Sequence, residues 1–300
     1  MAQRIVPNIW CTRNAEEAGA FYAEVFPRAS AQVVGRYPTA GLPDFQQEFA
    51  GEAVTVDVDL DGYRITLINA GDEFRPNASV SFLLNADPLR FGGDEQAARR
   101  WVDDVWARLS DGGEVRMPLA AYPHSSWYGW VEDRYGVNWQ LMLTDPAGEP
   151  APAVIPVLLF ANAVQGRAEE AIRFYAEVLP GAVGRIVPYP QAEGTAAEGE
   201  VMWGDFRASG QTFAAMDSRS AMEADFSPGF SFAVDCDDQA EIDRLWDAMS
   251  AVPEAEACGW LTDRFGVSWQ IVPADMAELM SRPDAYAHMM RMKKLVIADF

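Results

Sequence analysis

The stretch Trp130-Val131-Glu132-Asp133-Arg134-Tyr135-Gly136-Val137-Asn138-Trp139-Gln140-Leu141-Met142 occurs a second time as Trp260-Leu261-Thr262-Asp263-Arg264-Phe265-Gly266-Val267-Ser268-Trp269-Gln270-Ile271-Val272. Seven identities fall in one ungapped register, and Tyr135 is matched by Phe265. An Asp-Arg-aromatic-Gly turn between two β-rich runs reads as a hairpin, with glycine free to take a positive φ. A hairpin repeated at this length marks a repeated module.

Outward from the hairpins, residues 1–143 and 153–273 can be laid over one another. Each opens with a proline-bearing apolar strand, 5–11 and 155–160, followed by a helix with one apolar face. Ala18, Phe21, Tyr22 and Val25 fall at i, i+3, i+4, i+7, and Ala171, Phe174, Tyr175 and Val178 repeat them. Asn14 with Glu17 three residues on has the form of a capping box, and Pro27 and Pro180 stop the two helices. Strands are then expected at 54–60 and 63–70 across Asp61-Gly62, and at 202–208 and 211–216 across Ser209-Gly210. The runs 79–85 and 229–235, with shared Ser-Phe pairs at 81–82 and 231–232, come next, and a second helix precedes each closing hairpin. This predicts an α+β chain of tandem βαβββ modules: 1–143 with long loop insertions, a proline-rich linker at 144–152, the second module at 153–273, and a helical tail at 274–300. The insertions fall at 88–95 and 117–127. Five of the 12 methionines lie in the tail (Met276, Met280, Met289, Met290, Met292), which reads as an amphipathic helix capping a module or reaching a partner.

Composition bounds the partners. Twenty-three basic against 45 acidic residues give a net charge of −22, and Lys293 and Lys294 are the only lysines. A field of that sign repels nucleic acid and anionic membrane. Cys11, Cys236 and Cys258 are odd in number, with no C-x-x-C, which fits reduced thiols in a cytoplasmic setting. There is no basic-then-apolar leader pattern, and no apolar run of membrane-spanning length.

The repeats, the Phe-Tyr pairs of the first helices and the closing Asp-Arg-Tyr-Gly-Val-x-Trp-Gln hairpin resemble the vicinal-oxygen-chelate superfamily, which holds glyoxalase I, extradiol dioxygenases and bleomycin-resistance proteins. They look most like its PhnB-like branch, often labelled 3-demethylubiquinone-9 3-methyltransferase, down to Met292-Lys293-Lys294. The resemblance implies curled mixed sheets with helices on the outer face, and paired units forming a ligand cleft. It also implies His, Gln or Glu metal ligands on the first, middle and last strands. Carried over, those positions fall at Pro7 or Asn8, at Pro156 or Val157, at 79–81 and 229–231, and at Gln140 and Gln270. The two histidines, His124 in a loop and His288 in the tail, lie off the expected strands. Transition metals want imidazole, thiolate or clustered carboxylates, so the expectation is no metal and no cofactor. A methyl donor bound Rossmann-fashion would need a glycine-rich turn from a strand into a helix, and Gly92-Gly93 and Gly112-Gly113 follow no apolar strand as G-x-G.

The candidate ligand-binding residues are Gln270, Trp260, Trp269, Trp203 and Phe206 in the second module and Gln140, Trp130 and Trp139 in the first. Each has a plainer reading, a strand glutamine satisfying its neighbours or an aromatic packed in the core. Cys258 reads as a small buried residue, with no histidine beside it to make it a nucleophile. The expected function is metal-free binding or sequestration of a small aromatic or amphipathic organic molecule, by a monomer or homodimer. The alternative is an enzyme of the same superfamily with an atypical or absent metal site, using a carboxylate such as Glu48, Asp57 or Asp205. The second module's cleft is expected to be the open one, and the insertions of the first a lid or plug.

Overall fold

The structure is a computed structural model describing residues 3–145, 147–148, 150–222 and 225–300. Its elements in chain order are β1 (Ile5–Thr12), α1 (Ala15–Val25), β2 (Ala29–Arg36), β3 (Ala53–Leu60), β4 (Arg64–Ala70) and β5 (Val80–Ala86). Then come α2 (Glu95–Ser110), β6 (Glu114–Tyr122), β7 (Ser125–Glu132), β8 (Asn138–Leu143), β9 (Val154–Phe160) and α3 (Ala168–Val178). They are followed by β10 (Gly181–Pro188), β11 (Val201–Ala208), β12 (Gln211–Asp217), β13 (Phe230–Cys236) and α4 (Gln239–Met249). The chain ends with β14 (Trp260–Thr262), β15 (Ser268–Pro273), α5 (Met276–Leu279) and α6 (Ala285–Met289).

The α+β class holds, with two mixed sheets. One is seven-stranded in the order β14-β15-β13-β1-β4-β3-β2, and the other is eight-stranded, β10-β11-β12-β9-β5-β8-β7-β6. The compact units therefore do not follow the sequence modules. The first comprises 1–23, 28–75 and 226–300; the second comprises 24–27 and 76–225. Each sheet joins the first half of one module to the second half of the other. This corrects the expectation that each module curls its own sheet. The joins are antiparallel pairings, β1 with β13 and β5 with β9. The linker does not separate two domains, because it connects β8 to β9 within a single sheet. Asn85 donates to the Pro152 carbonyl, and the Ala151 N–H is taken by Asp87. Pro146 and Glu149 of that linker lie outside the described residues.

Three strands were not foreseen: β2, β10 and β6, the last running into the stretch read as a loop insertion. All three are edge strands and mostly exposed; β2 and β10 set small residues around adjacent Val33-Val34 and Ile186-Val187, so neither carries the apolar alternation that announces a strand. The tail is not one helix. It forms α5, α6 and a final 3₁₀ turn around a small cluster of Leu279, Ala285, Leu295 and Phe300, with Val272 and four of the tail methionines packed against it. Cys258 and Gly259 donate their backbone N–H groups to the carbonyls of Met292 and Lys293, which ties the tail to the start of β14.

The repeated hairpins are held by a buried carboxylate. Asp133, 3% exposed, accepts the backbone N–H groups of Tyr135 (2.8 Å) and Val137 (3.1 Å) at Oδ1 and the Trp139 indole N–H (2.8 Å) at Oδ2. Asp263, 1% exposed, does the same for Phe265, Val267 and Trp269 at the same distances. Gly136 and Gly266 take φ values of 84° and 89° so that the chain can close under the carboxylate. A charge buried this deeply is tolerated because it accepts three donors.

Asp263→Asn should keep the two backbone contacts but turn an amide N–H toward the Trp269 N–H. The expected cost is about 1–3 kcal/mol, the penalty for an unpaired buried donor. A chemical-denaturation midpoint unchanged from wild type would show that the carboxylate is dispensable.

Candidate functional site

Alternation along the strands sorts the candidate residues onto two faces. Trp139 and Trp269 are 0% and 2% exposed; they pack on Phe82 and Phe232 at centroid distances of 5.0 and 5.2 Å, and their indole nitrogens are spent on the hairpin carboxylates. Phe206 stacks on Tyr175 of α3. These three are core residues on the helix-covered faces. They line no cleft. On the opposite face of the second unit lie Gln140, Trp130 and Trp203, and on that of the first unit Gln270 and Trp260. Residues expected to serve one module are thus split between two sites.

Both opposite faces are concave. In the first unit the rings of Trp10 on β1 and Trp260 on β14 approach to 6.3 Å edge-to-face, although three strand spacings of about 4.8 Å separate those strands. In the second, Trp203 of β11 packs into one apolar cluster with Tyr128 and Trp130 of β7, five strand spacings away. A flat sheet would hold those two strands about 24 Å apart.

The floors of the two faces differ. Strand register in the first unit aligns one transverse row, Thr262–Ser268–Ser231–Asn8–Thr66–Asp57–Gln32, polar at every strand. The matching row of the second unit, Glu132–Asn138–Ser81–Val157–Ala214–Asp205, is apolar in the middle. Around Val157 and Ala214 gather Leu83, Tyr128 and Ile155, with Met117, Tyr122, Trp130 and Trp203 packed on them. Met117 and Tyr122 come from the 117–127 insertion, so the extra chain of the first module does cover a face. That face is the mixed one of the second unit.

The glutamines differ accordingly. Gln140, 3% exposed, donates to Ser81 Oγ (2.8 Å) and accepts from the Tyr128 hydroxyl (2.7 Å). Burial pushes the Tyr128 phenol well above its usual range, so it remains a donor. Gln270 is half-buried and donates to Ser231 Oγ at 3.0 Å. Its amide oxygen has no partner among the described residues. At the position matching Tyr128 stands Cys258, where the backbone turns (φ 50°) toward the tail. Ser268 Oγ is buried without a partner, whereas its counterpart Asn138 accepts from the Trp130 indole and donates to Glu132 and Gly136. The floor between Trp10 and Trp260 therefore holds open hydrogen-bonding capacity.

Of the carboxylates weighed as catalytic bases, Glu48 is exposed and paired with Arg13 at 2.6 Å, off the sheet. Asp57 accepts from Thr66 (2.6 Å) and shares Arg64 with Asp235, at 3.6 and 3.3 Å. Asp205 sits on the row of the second unit. The metal that the superfamily implies needs imidazole or clustered carboxylate. The strand positions here carry Asn8, Ser231 and Gln270 in one unit and Val157, Ser81 and Gln140 in the other. Among the described residues no three of His, Cys, Asp and Glu form a group that could hold a metal ion. This donor set does not fit a transition metal.

A sequence profile of the 3-demethylubiquinone-9 3-methyltransferase family matches residues 3–142 and again 152–272. The chain belongs to that family. Among solved structures, glyoxalase I from Zea mays is 11% identical, with 96% of this chain and 97% of that one covered and a TM-score of 0.51, which shows a shared fold. A PhnB protein from Bacillus cereus, described as a putative 3-demethylubiquinone-9 3-methyltransferase, is 26% identical over 47% of this chain and all of its own, with a TM-score of 0.39. No curated protein matches the chain. No helix among the described residues is long and apolar enough to cross a membrane.

His124 lies over the second unit's face, its ring 4.6 Å from Tyr128 and 5.8 Å from Tyr122. Partial burial, and next the charge of Arg219, lower its pKa below the ordinary 6.5. A depressed folded-state pKa contributes stability that is present above pH 6.5 and lost as pH falls through the folded value. Amide protection factors across 117–127, measured against the intrinsic exchange rate at each pH, should fall on acidification below pH 6.5, and His124→Phe should flatten that response. An unchanged pH profile in the variant would remove His124 from the cover.

Proposed function

We propose that this protein binds or sequesters a small aromatic or amphipathic organic molecule, without metal, on the concave face of its first unit. The observation that supports this reading is the half-buried Gln270, its amide nitrogen spent on Ser231 and its oxygen without a partner among the described residues, beside the Trp10–Trp260 pair. Aromatic walls with a few fixed polar groups are the usual make-up of a small-molecule site. Gln270 and Trp260 take the contact roles on this face. Gln140, Trp130 and Trp203 line the second unit's face, where the 117–127 insertion fills the space. The donor set argues for binding without a metal or other cofactor. Free thiols at Cys11, Cys236 and Cys258 suit a cytoplasmic protein, working as monomer or homodimer, with neither nucleic acid nor membrane as partner. The methyltransferase name of the family is not extended to this chain's activity.

The test is tryptophan-fluorescence titration with a panel of flat amphipathic aromatics, on wild type and Gln270→Leu, before and after EDTA treatment. The expected result is saturable binding that survives chelation and weakens about tenfold in Gln270→Leu, equivalent to about 1.4 kcal/mol. Binding lost on chelation, or equal in the variant, would overturn the reading.

A further inference from the structure

The two faces are built on one template, so what fills one indicates what the other lacks. In the second unit the row Trp130–Gln140–Leu83–Ile155 matches Trp260–Gln270–Ala233–Val6 in the first, and Ser81 matches Ser231 under each glutamine. The difference that bears on the glutamine oxygens lies at one position. Tyr128 brings a ring into the apolar cluster and a hydroxyl 2.7 Å from Gln140 Oε1. Cys258, at the matching position, brings neither.

We infer that Tyr128 is a built-in occupant of the second unit's face, and that the ligand of the first unit presents the same group: an aromatic ring bearing a hydroxyl that donates to Gln270 Oε1. This rests on the reading of the first unit as the binding face and adds the class of molecule. Three further observations agree. Ser268, 2% exposed, turns an unpartnered hydroxyl into the same floor, where Asn138 is fully bonded in the second unit. The edge-to-face tryptophans stand over β13 and β15 and offer ring faces to a flat guest. Asp57 and Asp235 share the guanidinium of Arg64, and with Gln270 Oε1 they make this face rich in acceptors, which suits a neutral donor better than an anion.

The experiment uses the full chain with three probes of one shape: p-cresol, 4-methylanisole, which lacks the donor, and toluene, which lacks the oxygen. Calorimetric titration of wild type should show one p-cresol site per chain, weakened about tenfold by Gln270→Leu, with the other two probes also about tenfold weaker. Tyr128→Ala should gain a second p-cresol site that persists in the Tyr128→Ala, Gln270→Leu double variant. Tyr128→Phe keeps the ring and should gain none, which guards against misreading a poorly folded alanine variant. Equal binding of all three probes would overturn the hydroxyl class while leaving a Gln270-dependent binding face standing. Failure of wild type to take p-cresol would overturn the inference, as would a second site in Tyr128→Phe.

Discussion

One buried carboxylate per hairpin organises this molecule. Asp133 and Asp263 each fix two backbone N–H groups of the turn and one indole N–H of the following strand. The indole contact sets the phase of the strand. With Trp139 and Trp269 drawn to the helix-covered side, residues one position either way must face the concave side, because strand side chains alternate. Asn138, Gln140, Ser268 and Gln270 are thereby placed on the two floors. A register slip of one residue would put the tryptophans in the clefts and the glutamines in the core, so the same contact that holds the turn also protects the site.

That constraint explains why the loudest sequence signal carries structure, and the chemistry rides on the residues between. The identities at 133, 136, 137 and 139 and their counterparts are committed to the turn and core, so they are alike in both units. Positions free to vary are those of the transverse rows, and there the units diverge. Asn8 and Thr66 hold the centre of one row, Val157 and Ala214 the other. The duplication supplies two frames of one geometry. Their different floors give one polar face and one apolar face filled by the chain's own side chains.

Much of this was legible from the residues. The hairpins, the Asp-Gly and Ser-Gly turns, the Phe-Tyr helices and the α+β class follow from periodicity and turn chemistry, which are local. The placement of Gln270 and Trp260 on a cleft face was also within reach, since alternation from a buried tryptophan predicts it. Four things were not. The exchange of halves between modules depends on which edge strand β1 and β9 choose, and both candidate partners, β5 and β13, carry the same Ser-Phe apolar pattern. Trp139, Trp269 and Phe206 read as cleft residues because aromaticity alone does not tell the two faces of a sheet apart. Trp10 was passed over as part of an apolar strand, and its partner lies 250 positions away. The run from Ser268 to Asp57 exists only once the strands are ordered, so no linear spacing announces it.

The first unit's floor bears on function through its energy. An unpaired polar group in a folded interior costs about 1–3 kcal/mol, a sizeable part of a domain's net stability. At the matching floor positions the second unit has no such group: Asn138 is bonded three ways, and Tyr128 satisfies Gln140. The first unit bears it at Ser268, and it replaces the capping tyrosine with Cys258 at a turn that pairs with the tail. Nothing in the repeat compels this, since the other half of the same chain displays the satisfied alternative on the same frame. A local deficit kept beside two tryptophans, where an internal remedy exists one repeat away, is what a site requires if the missing hydrogen bonds are to be completed by a bound molecule.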